Sequence, residues 1–448
     1  MIIKIQQGDV LMFKKTTGSL VAASMIGLSL AACGGTAGKE ASSTPNNEAT
    51  TPPKQAEPVK LIMLQDGATI TDDEFKNMIA APIHAKYPNI TVEMRRNSGG
   101  DKGIQDLIAA GDFPDFIFTT YPRITLHRDL GTPDDLTERV KMHNMDLGKF
   151  DPAAMETSRV YSGKGKLYGI PFSLNFFALF YNKDLFDTFG VPYPTDGMTW
   201  DDVYEVARKF SRVVDGVQYR GLHLPGLLDM STQLTLPYVS QTTGKANVET
   251  DGWKRLFAMV KKFNDIPGSK GGTVNHFLKD QTVAMSPGYD VRIASLEALN
   301  NTPQQFNWDL VQFPSYPDLP NVAGASSGHF LMLSALSKHK EEAFQAIELL
   351  TGAETQKLIT NNGRFTSLND QALKELYGNN IKSLQGKNTK GVFKSKFAPP
   401  YAPSKYDSLV QPYLNTAMTK VINDETDINS ALRDAGEAAN RDIAAKNQ

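Results

Sequence analysis

Strand-like and helix-like segments alternate along the chain from residue 58 onward, and this order constrains the fold more than any other feature. Residues 59–64 form a short apolar run that predicts a strand, and residues 72–87 carry apolar side chains at helical spacing. Residues 90–94 then alternate apolar and polar side chains, as a half-buried strand does. The same order recurs further along, and it is typical of a layered α/β fold. The sequence therefore predicts mainly parallel sheets flanked by helices.

The only cysteine of the chain, Cys33, follows a short apolar segment. Two lysines precede residues 18–32, which are uncharged and too few to span a bilayer as a helix. This segment ends in Leu30-Ala31-Ala32-Cys33-Gly34, which resembles a bacterial lipobox. We therefore interpret residues 1–32 as a signal peptide, with Met12 as the expected start of translation, and Cys33 as the lipidated residue. The alternative is an incidental free thiol left after ordinary signal cleavage.

Residues 33–57 are predicted to be a disordered tether behind the lipidated cysteine. From Gly34 onward this stretch is rich in Ser, Thr, Pro, Asn and Ala, and it lacks aromatic residues and Ile, Leu or Val. Such a composition buries too little apolar surface to offset the entropy lost on ordering. About 390 residues remain, enough for two lobes with cores of their own. Since the net charge is -2, the sequence offers no strong basic field for nucleic acid.

Three sequence features that could indicate an enzyme have simpler interpretations. Gly324-Ala325-Ser326-Ser327-Gly328 matches the G-x-S-x-G pattern, but a strand-like run follows it where a hydrolase needs a helix. The seven histidines show no metal-ligand spacing, and pairs such as Asp201 and Asp202 lie at predicted helix starts. We therefore predict no catalytic residue, metal or cofactor. A secreted carbohydrate-active enzyme stays open, because folding can bring two distant carboxylates together.

Several segments, in their order along the chain, resemble the maltodextrin-binding-like extracellular solute-binding proteins of ABC importers. They are Ile108-Ala109-Ala110-Gly111-Asp112-Phe113-Pro114-Asp115, Gly165-Lys166-Leu167-Tyr168-Gly169-Ile170-Pro171, Phe180-Tyr181-Asn182-Lys183-Asp184-Leu185-Phe186, Gly190-Val191-Pro192-Tyr193-Pro194, Met198-Thr199-Trp200-Asp201-Asp202-Val203, Trp308-Asp309-Leu310-Val311-Gln312-Phe313-Pro314 and residues 341–356. The resemblance implies a two-lobed periplasmic-binding-protein-like fold with a hinge that the chain crosses several times. It implies an N-terminal lobe of residues 58–170 and 325–390, and a C-terminal lobe of residues 171–324 and 391–448.

The resemblance also implies a function, which is capture of a small solute by hinge closure. The expected ligand is a mono- or oligosaccharide, and the expected partners are the transmembrane permease subunits of an ABC transporter. We expect a monomer held by its lipid on the outer face of a cell membrane, in a Gram-positive bacterium. A sugar-binding adhesin or sensor module is the alternative that involves no transport.

The candidate ligand-binding residues lie at strand ends and at the predicted crossings between lobes. They are Asp66, Thr120, Tyr121, Asn175, Phe176, Tyr238, Tyr289, Asp290, Ser326 and Arg364, with Asp229 as a weaker candidate. For each, a turn, core packing or a surface ion pair is the structural alternative. Trp200 and Trp308 occupy positions that the resemblance marks as structural. Trp253 lies on a predicted helix at the spacing of its core-facing residues. A saccharide stacked on Tyr and Phe is therefore expected, rather than a long maltodextrin.

Overall fold

The computed structural model describes residues 57–446, which fold into strands and helices in alternation. The strands are β1 Val59–Asp66, β2 Ile90–Arg96, β3 Phe116–Thr120, β4 Ile170–Asn175, β5 Phe177–Asn182, β6 Arg212–Val214, β7 Val217–Leu222, β8 Val283–Tyr289, β9 Trp308–Gln312, β10 Val322–Ala325, β11 Ser327–Leu333, β12 Phe365–Thr366 and β13 Lys396–Ala398.

The helices cover both sheets, and most begin at a polar cap. They are α1 Asp72–Glu74, α2 Ala81–Lys86, α3 Gly100–Ala109, α4 Tyr121–Asp129, α5 Thr137–Met142, α6 Pro152–Ser162, α7 Lys183–Phe189, α8 Trp200–Arg208, α9 Leu227–Gln233, α10 Asp251–Asn264, α11 Val274–Leu278, α12 Val291–Glu297, α13 Lys340–Leu350, α14 Ala353–Asn361, α15 Gln371–Lys374, α16 Thr389–Val392, α17 Asp407–Ile422 and α18 Ile428–Lys446. A π-helical stretch, Phe75–Ala80, joins α1 to α2, and Leu147–Lys149 and Lys382–Leu384 are 3₁₀ turns. Thr199 caps α8, since its side chain accepts from the amide of Asp202.

The strands form two larger sheets, which define the two lobes. The first lobe has six strands in the order β12-β4-β11-β3-β1-β2, and the second has five in the order β6-β7-β8-β5-β9. The α/β class and the two-lobed fold are thus confirmed. The expectation of mainly parallel sheets was wrong, because β11 runs antiparallel to β3 and β4, and β5 runs antiparallel to β8 and β9. These antiparallel strands enter from the other lobe rather than through a local strand–helix–strand unit.

The chain passes between the two sheets at positions where one strand directly follows another. β4 ends at Asn175 in the first sheet, and β5 begins at Phe177 in the second. On the return, β10 pairs with β13 in a separate two-stranded sheet, and β11 then enters the first sheet at Ser327. The lobe boundaries at residues 170, 324 and 390 stay a prediction.

Each lobe has an apolar core, and a third apolar cluster lies where the sheets approach each other. The first core packs helices such as α13 on β1, β3 and β11, and the second packs α10, α17 and α18 on β5 and β8. The third cluster joins Phe176 and Phe180 of the crossing to Phe365 and Tyr377 of the first lobe. Its rings make edge-to-face contacts, with Phe176 5.6 Å from Phe365 and 5.1 Å from Tyr377. The crossing is therefore apolar on the face that carries Phe176.

The signal peptide, Cys33 and all of the predicted tether except its last residue lie outside the described residues. Within residues 57–446, no helix is both long enough and apolar enough to cross a membrane.

Candidate functional site

Four tyrosines and one carboxylate from both lobes come together at the ends of the central strands. We call this group the tyrosine cluster: Tyr121, Tyr161, Asp229, Tyr289 and Tyr401. Tyr121 follows β3 of the first lobe without a loop, because Pro122 suits the first turn of α4. Tyr289 ends β8 of the second lobe, and Asp229 lies in α9. The cluster thus draws on the facing edges of both sheets.

Contacts and electrostatics show that the members of the tyrosine cluster lie close to one another. The rings of Tyr121 and Tyr161 meet edge-to-face at 4.9 Å. Burial raises the pKa of Tyr121 and of Tyr289, and the negative charge of Asp229 raises both further. The pKa of Tyr401 is raised by burial, then by the negative charge of Asp407, and further by Tyr161 and Tyr121. These phenols are therefore neutral hydroxyls at any physiological pH.

Two carboxylates beside these tyrosines are poorly compensated. Burial raises the pKa of Asp229, and the nearby Arg292 opposes the rise. Asp407 is 9% exposed, and burial raises its pKa to about 6. One of its oxygens accepts from Tyr401 Oη at 3.3 Å and from the Ser404 amide at 3.0 Å, while the other, Oδ1, is buried without a partner among residues 57–446. A buried acceptor without a donor costs free energy, which a hydroxyl that reached it would offset.

A basic group, Arg364, directly precedes the edge strand β12, and it contacts a neutral histidine, His329, in the interior strand β11. Arg364 donates through Nε and Nη2 to Glu74 at 2.9 and 3.0 Å, and through Nη1 to His329 Nδ1 at 3.3 Å. Burial and the charge of Arg364 lower the pKa of His329 to about 3. Because Nδ1 accepts, the proton of the neutral ring is on Nε2, which has no partner among the described residues. His329 therefore offers one donor.

Asp290 follows Tyr289 and has a raised pKa of about 7, caused by burial and partly offset by Arg364. The unfolded pKa of an aspartate is about 3.9. Between about pH 4 and pH 7 the folded state keeps a proton that the unfolded state has released. The contribution of Asp290 to the free energy of unfolding is then complete below about pH 4 and is lost as the pH rises through this window.

We expect Asp290→Asn to remove this fall in stability with rising pH, because asparagine is neutral at every pH. Denaturant unfolding at pH 5 and pH 8 measures the effect, which should be on the order of a few kcal/mol from the size of the shift. Asp73→Asn, at an exposed position in α1, is the control and should keep the wild-type slope. An Asp290→Asn protein with the wild-type pH slope would contradict the prediction.

The buried cation of the site, Arg292, was not foreseen from the sequence. Burial lowers its pKa to about 10, and Asp229 opposes the shift. Its Nη1 donates to Ser286 Oγ, while its Nε is buried without a partner among the described residues. A guanidinium with an unused donor is well suited to a hydroxyl or carboxylate of a ligand.

Asp66 was predicted to bind ligand, but the structure places it in a saturated internal network. It is 2% exposed, and Oδ1 accepts from Asn97 Nδ2 at 2.7 Å and Arg123 Nη2 at 3.0 Å. Oδ2 accepts from Arg123 Nε at 2.8 Å and His127 Nε2 at 3.0 Å. Burial raises the pKa of Asp66, but these bonds outweigh it and hold the pKa well below its usual range. Asp66 therefore has no acceptor left for a ligand.

Three other predicted residues are also enclosed by protein. Tyr238 is 1% exposed, packs on Trp253 at 5.1 Å and shares a hydrogen bond with Ser231. Phe176 belongs to the apolar cluster at the crossing. Ser326 is 1% exposed and lies between two strands, as expected if the G-x-S-x-G match is a crossing rather than a nucleophile elbow. In this conformation none of the three is open to a ligand.

The remaining predicted residues lie at the strand ends around the tyrosine cluster. Thr120 pairs with His329, and Asn175 pairs with Ser327 across the first sheet. Both are partly exposed, as are Tyr121, Tyr289, Asp290 and Arg364. Their roles as ligand contacts stay predictions. For Arg364 the sequence left a surface ion pair as the alternative role. The structure contains an ion pair between Arg364 and Glu74, and this pair is partly buried.

Tyr161, Tyr401, Asp407, Arg292 and His329 were missed as site residues. Tyr161 lies in a helix and Tyr401 in a proline-rich loop, so neither follows a predicted strand. The signal that could have revealed Tyr401 is its place between Pro400 and Pro403, shortly after the crossing predicted near residue 390.

The candidate site lies between the two lobes and combines flat phenol faces, buried carboxylate acceptors and a guanidinium donor. These features define a two-lobed binding protein. Within residues 57–446 no three His, Cys, Asp or Glu side chains are grouped as metal ligands would be. Residues 67–357 match the bacterial extracellular solute-binding protein family, and the chain belongs to it. The members that it resembles are binding proteins rather than enzymes.

Curated relatives and solved structures agree with this assignment. Binding proteins of Brucella abortus and Brucella suis are 24% identical over 229 residues, which cover 48% of this chain and 54% of each relative. The chain thus spans about half the length of the curated relatives it matches. An ABC substrate-binding protein of Listeria monocytogenes, solved with cycloalternan, is 20% identical with a TM-score of 0.67, covering 87% of this chain and 100% of that one.

Two further structures share the fold. A sugar transporter protein of Rhizobium etli in an open conformation is 20% identical, has a TM-score of 0.70 and is matched over 85% of this chain and 99% of its own. The cyclic α-maltosyl-1,6-maltose-binding protein of Arthrobacter globiformis is 16% identical, has a TM-score of 0.68 and is matched over 86% and 99%. At these identities the likeness establishes the fold.

Proposed function

We propose that this protein captures a saccharide between its two lobes and delivers it to the permease of an ABC importer. The observation that carries the proposal is the tyrosine cluster. Tyr121 of the first lobe lies within electrostatic range of Tyr289 and Asp229 of the second, so a ligand between them can contact both lobes. A ligand that bridges the lobes stabilises the closed arrangement by its additional contacts there.

The chemistry of the cluster favours a carbohydrate over other small solutes. Tyrosine rings offer flat apolar faces for the C–H faces of a sugar, and carboxylates and guanidinium groups bind hydroxyls. Trp200, Trp253 and Trp308 are at most 4% exposed, so tyrosine rather than tryptophan supplies the stacking surface. Because one similar structure was solved with cycloalternan and another is named for cyclic α-maltosyl-1,6-maltose, we take α-linked oligosaccharides as the first candidates.

The same arrangement supports hinge closure about the crossings between sheets. Asn175 and Phe177 flank the first crossing, and the β10–β13 pair lies at the others. Short extended segments such as these absorb a rotation in a few backbone torsions. We propose that the closed protein, as a monomer, then docks on the permease subunits.

A thermal-shift screen against mono- and oligosaccharides tests the proposed ligand class. We expect α-linked oligosaccharides to raise the melting temperature, because a ligand that binds only the folded state stabilises it. Analysis of the same mixtures for released products distinguishes binding from hydrolysis. Stabilisation by amino acids or peptides alone, or turnover of the sugar, would contradict the proposal.

We also propose that Cys33 carries a lipid that holds the protein on the outer face of the cell membrane. Cys33→Ala removes the residue that would carry the lipid. Because stable attachment needs one strong anchor or two weaker signals, the variant should be released into the medium or periplasm. Fractionation and mass spectrometry of the processed N-terminus measure this. A Cys33→Ala protein that stays with the membrane would rule out the anchor.

A further inference from the structure

The acidic groups at the tyrosine cluster are poorly balanced by basic ones. Asp229 accepts no hydrogen bond and forms no ion pair within residues 57–446. It is partly exposed, and neither of its carboxylate oxygens is enclosed by protein, so a ligand can reach it. The second lobe therefore offers an accessible carboxylate, with both oxygens free, within electrostatic range of Tyr121 and Tyr289.

Asp407 adds a second carboxylate to the same group of phenols. Its side chain is 9% exposed and is bonded to the Tyr401 hydroxyl and the Ser404 amide, while Oδ1 has no partner within residues 57–446. No basic side chain of that range offsets its charge. A ligand does not reach Oδ1 in this conformation, but the charge makes the potential at Tyr161 and Tyr401 more negative.

The phenol rings add to the attraction for a cation. Tyr121 meets Tyr161 edge-to-face at 4.9 Å, and Phe177 packs against Tyr289 at 4.0 Å and holds that ring in place. The face of an aromatic ring attracts a cation through its quadrupole, and the attraction is stronger where water is excluded. Tyr121, Tyr289 and Tyr401 are partly exposed, so their rings are open to a ligand.

Arg292 reduces the excess of negative charge without removing it. It acts on Asp229 and opposes the effect of burial, but the two groups form no ion pair. It does not act on Tyr121 or Tyr161, whose titratable neighbours are all acidic. Asp407 is largely ionised at about pH 7, since its pKa is about 6. With Asp229 ionised as well, one positive charge on a ligand balances the group.

We propose that the saccharide bound at the tyrosine cluster carries a protonated amine, so that the protein selects amino sugars over neutral sugars. The ammonium group lies against the rings of Tyr121 and Tyr289 and donates to Asp229. A charge-assisted hydrogen bond of this kind is stronger than the bond that a neutral hydroxyl makes. The inference rests on the proposed function, because it specifies which class of saccharide is captured.

Calorimetry with three trisaccharides tests the proposal: an α-1,4-linked galactosamine trisaccharide, its fully N-acetylated form, and maltotriose. N-acetylation removes the positive charge of each amine, and maltotriose is neutral with the same α-1,4 linkage. At about pH 7 the free amines are largely protonated. We expect the galactosamine trisaccharide to bind at least about ten-fold more tightly than either neutral sugar, because its ammonium group gains both ring and carboxylate contacts.

Asp229→Asn tests whether the carboxylate causes the preference. Asparagine keeps the shape of the side chain but not its charge, so the preference for the amine over its acetylated form should fall to about three-fold or less. Asp251→Asn, at an exposed position in α10 of the same lobe, is the matched control and should keep the wild-type preference. Thermal unfolding of each variant shows whether it is folded.

The possible failures are distinguishable. Binding of the N-acetylated trisaccharide or maltotriose as tightly as the amine overturns the inference and leaves the proposed function intact, because a saccharide is still captured. A preference that survives Asp229→Asn unchanged also overturns the inference. Absence of binding by every saccharide contradicts the proposed function itself. The comparison of the three sugars uses the wild-type protein, so it stays decisive even if Asp229→Asn does not fold.

Discussion

Replacing both Tyr121 and Tyr289 with alanine is expected to abolish saccharide binding while the protein stays folded. The two rings come from different lobes and share Asp229 as a neighbour, so a bridging ligand loses contact with both lobes at once. Each buried aromatic contact of this kind is worth about 2 kcal/mol or more. Since about 1.4 kcal/mol is a factor of ten, affinity should fall on the order of 10³-fold. Calorimetry with the best ligand of the screen measures the change.

Two matched variants separate stacking from general damage to the protein. Tyr193→Ala removes a tyrosine that is 39% exposed in the second lobe and away from the cluster, and it should leave affinity unchanged. Tyr121→Phe with Tyr289→Phe keeps both rings and should retain most of the affinity. Wild-type affinity in the double alanine variant, with a cooperative unfolding transition, would remove both residues from the site.

Replacing Asp66 with alanine is expected to lower the free energy of unfolding by about 3–5 kcal/mol, the usual cost of removing one partner of a buried ion pair. The change leaves Arg123, His127 and Asn97 without their shared acceptor in a site that is 2% exposed. Because Asp66 makes no bond that a ligand could take over, the affinity of the folded protein should change little. Denaturant unfolding and calorimetry measure the two quantities separately.

Asp101→Ala is the control for Asp66, because Asp101 pairs with the same Arg123 from an exposed position. Asp101→Ala should lower the free energy of unfolding by about 1 kcal/mol or less, which is the usual effect of removing an exposed ion pair. The pH provides a second check. The pKa of Asp66 is lowered on folding, so its contribution is complete above about pH 4 and is lost as the pH falls further. A large loss of affinity without loss of stability would instead make Asp66 a ligand contact.

Much of the fold was predictable where local patterns decide the structure. The predicted strands at residues 59–64 and 90–94 lie within β1 and β2, and residues 72–87, with their helical spacing, form α1, the π-helical stretch and α2. Their side chains follow the period of the element that they form. The short strands β10, β12 and β13 were not predicted, because they have two to four residues and exist only through pairing between distant parts of the chain.

The site was harder to predict than the fold, for a physical reason. A strand end can be read from the sequence, so Tyr121 and Tyr289 were found. Whether the polar group at a strand end is free depends on its neighbours in space. Asp66 lost its acceptors to Arg123, which is 57 residues away. Tyr401 reaches the cluster from a proline-rich loop, where no periodic pattern indicates a direction.

Small-angle X-ray scattering of the protein with and without its saccharide tests the central proposal most directly. If the ligand bridges Tyr121 of one lobe and Tyr289 of the other, its addition should reduce the radius of gyration by an amount that saturates with binding. The double alanine variant should show no such change at the same ligand concentration. Saccharide binding with an unchanged radius of gyration, starting from an open protein, would contradict capture between two closing lobes.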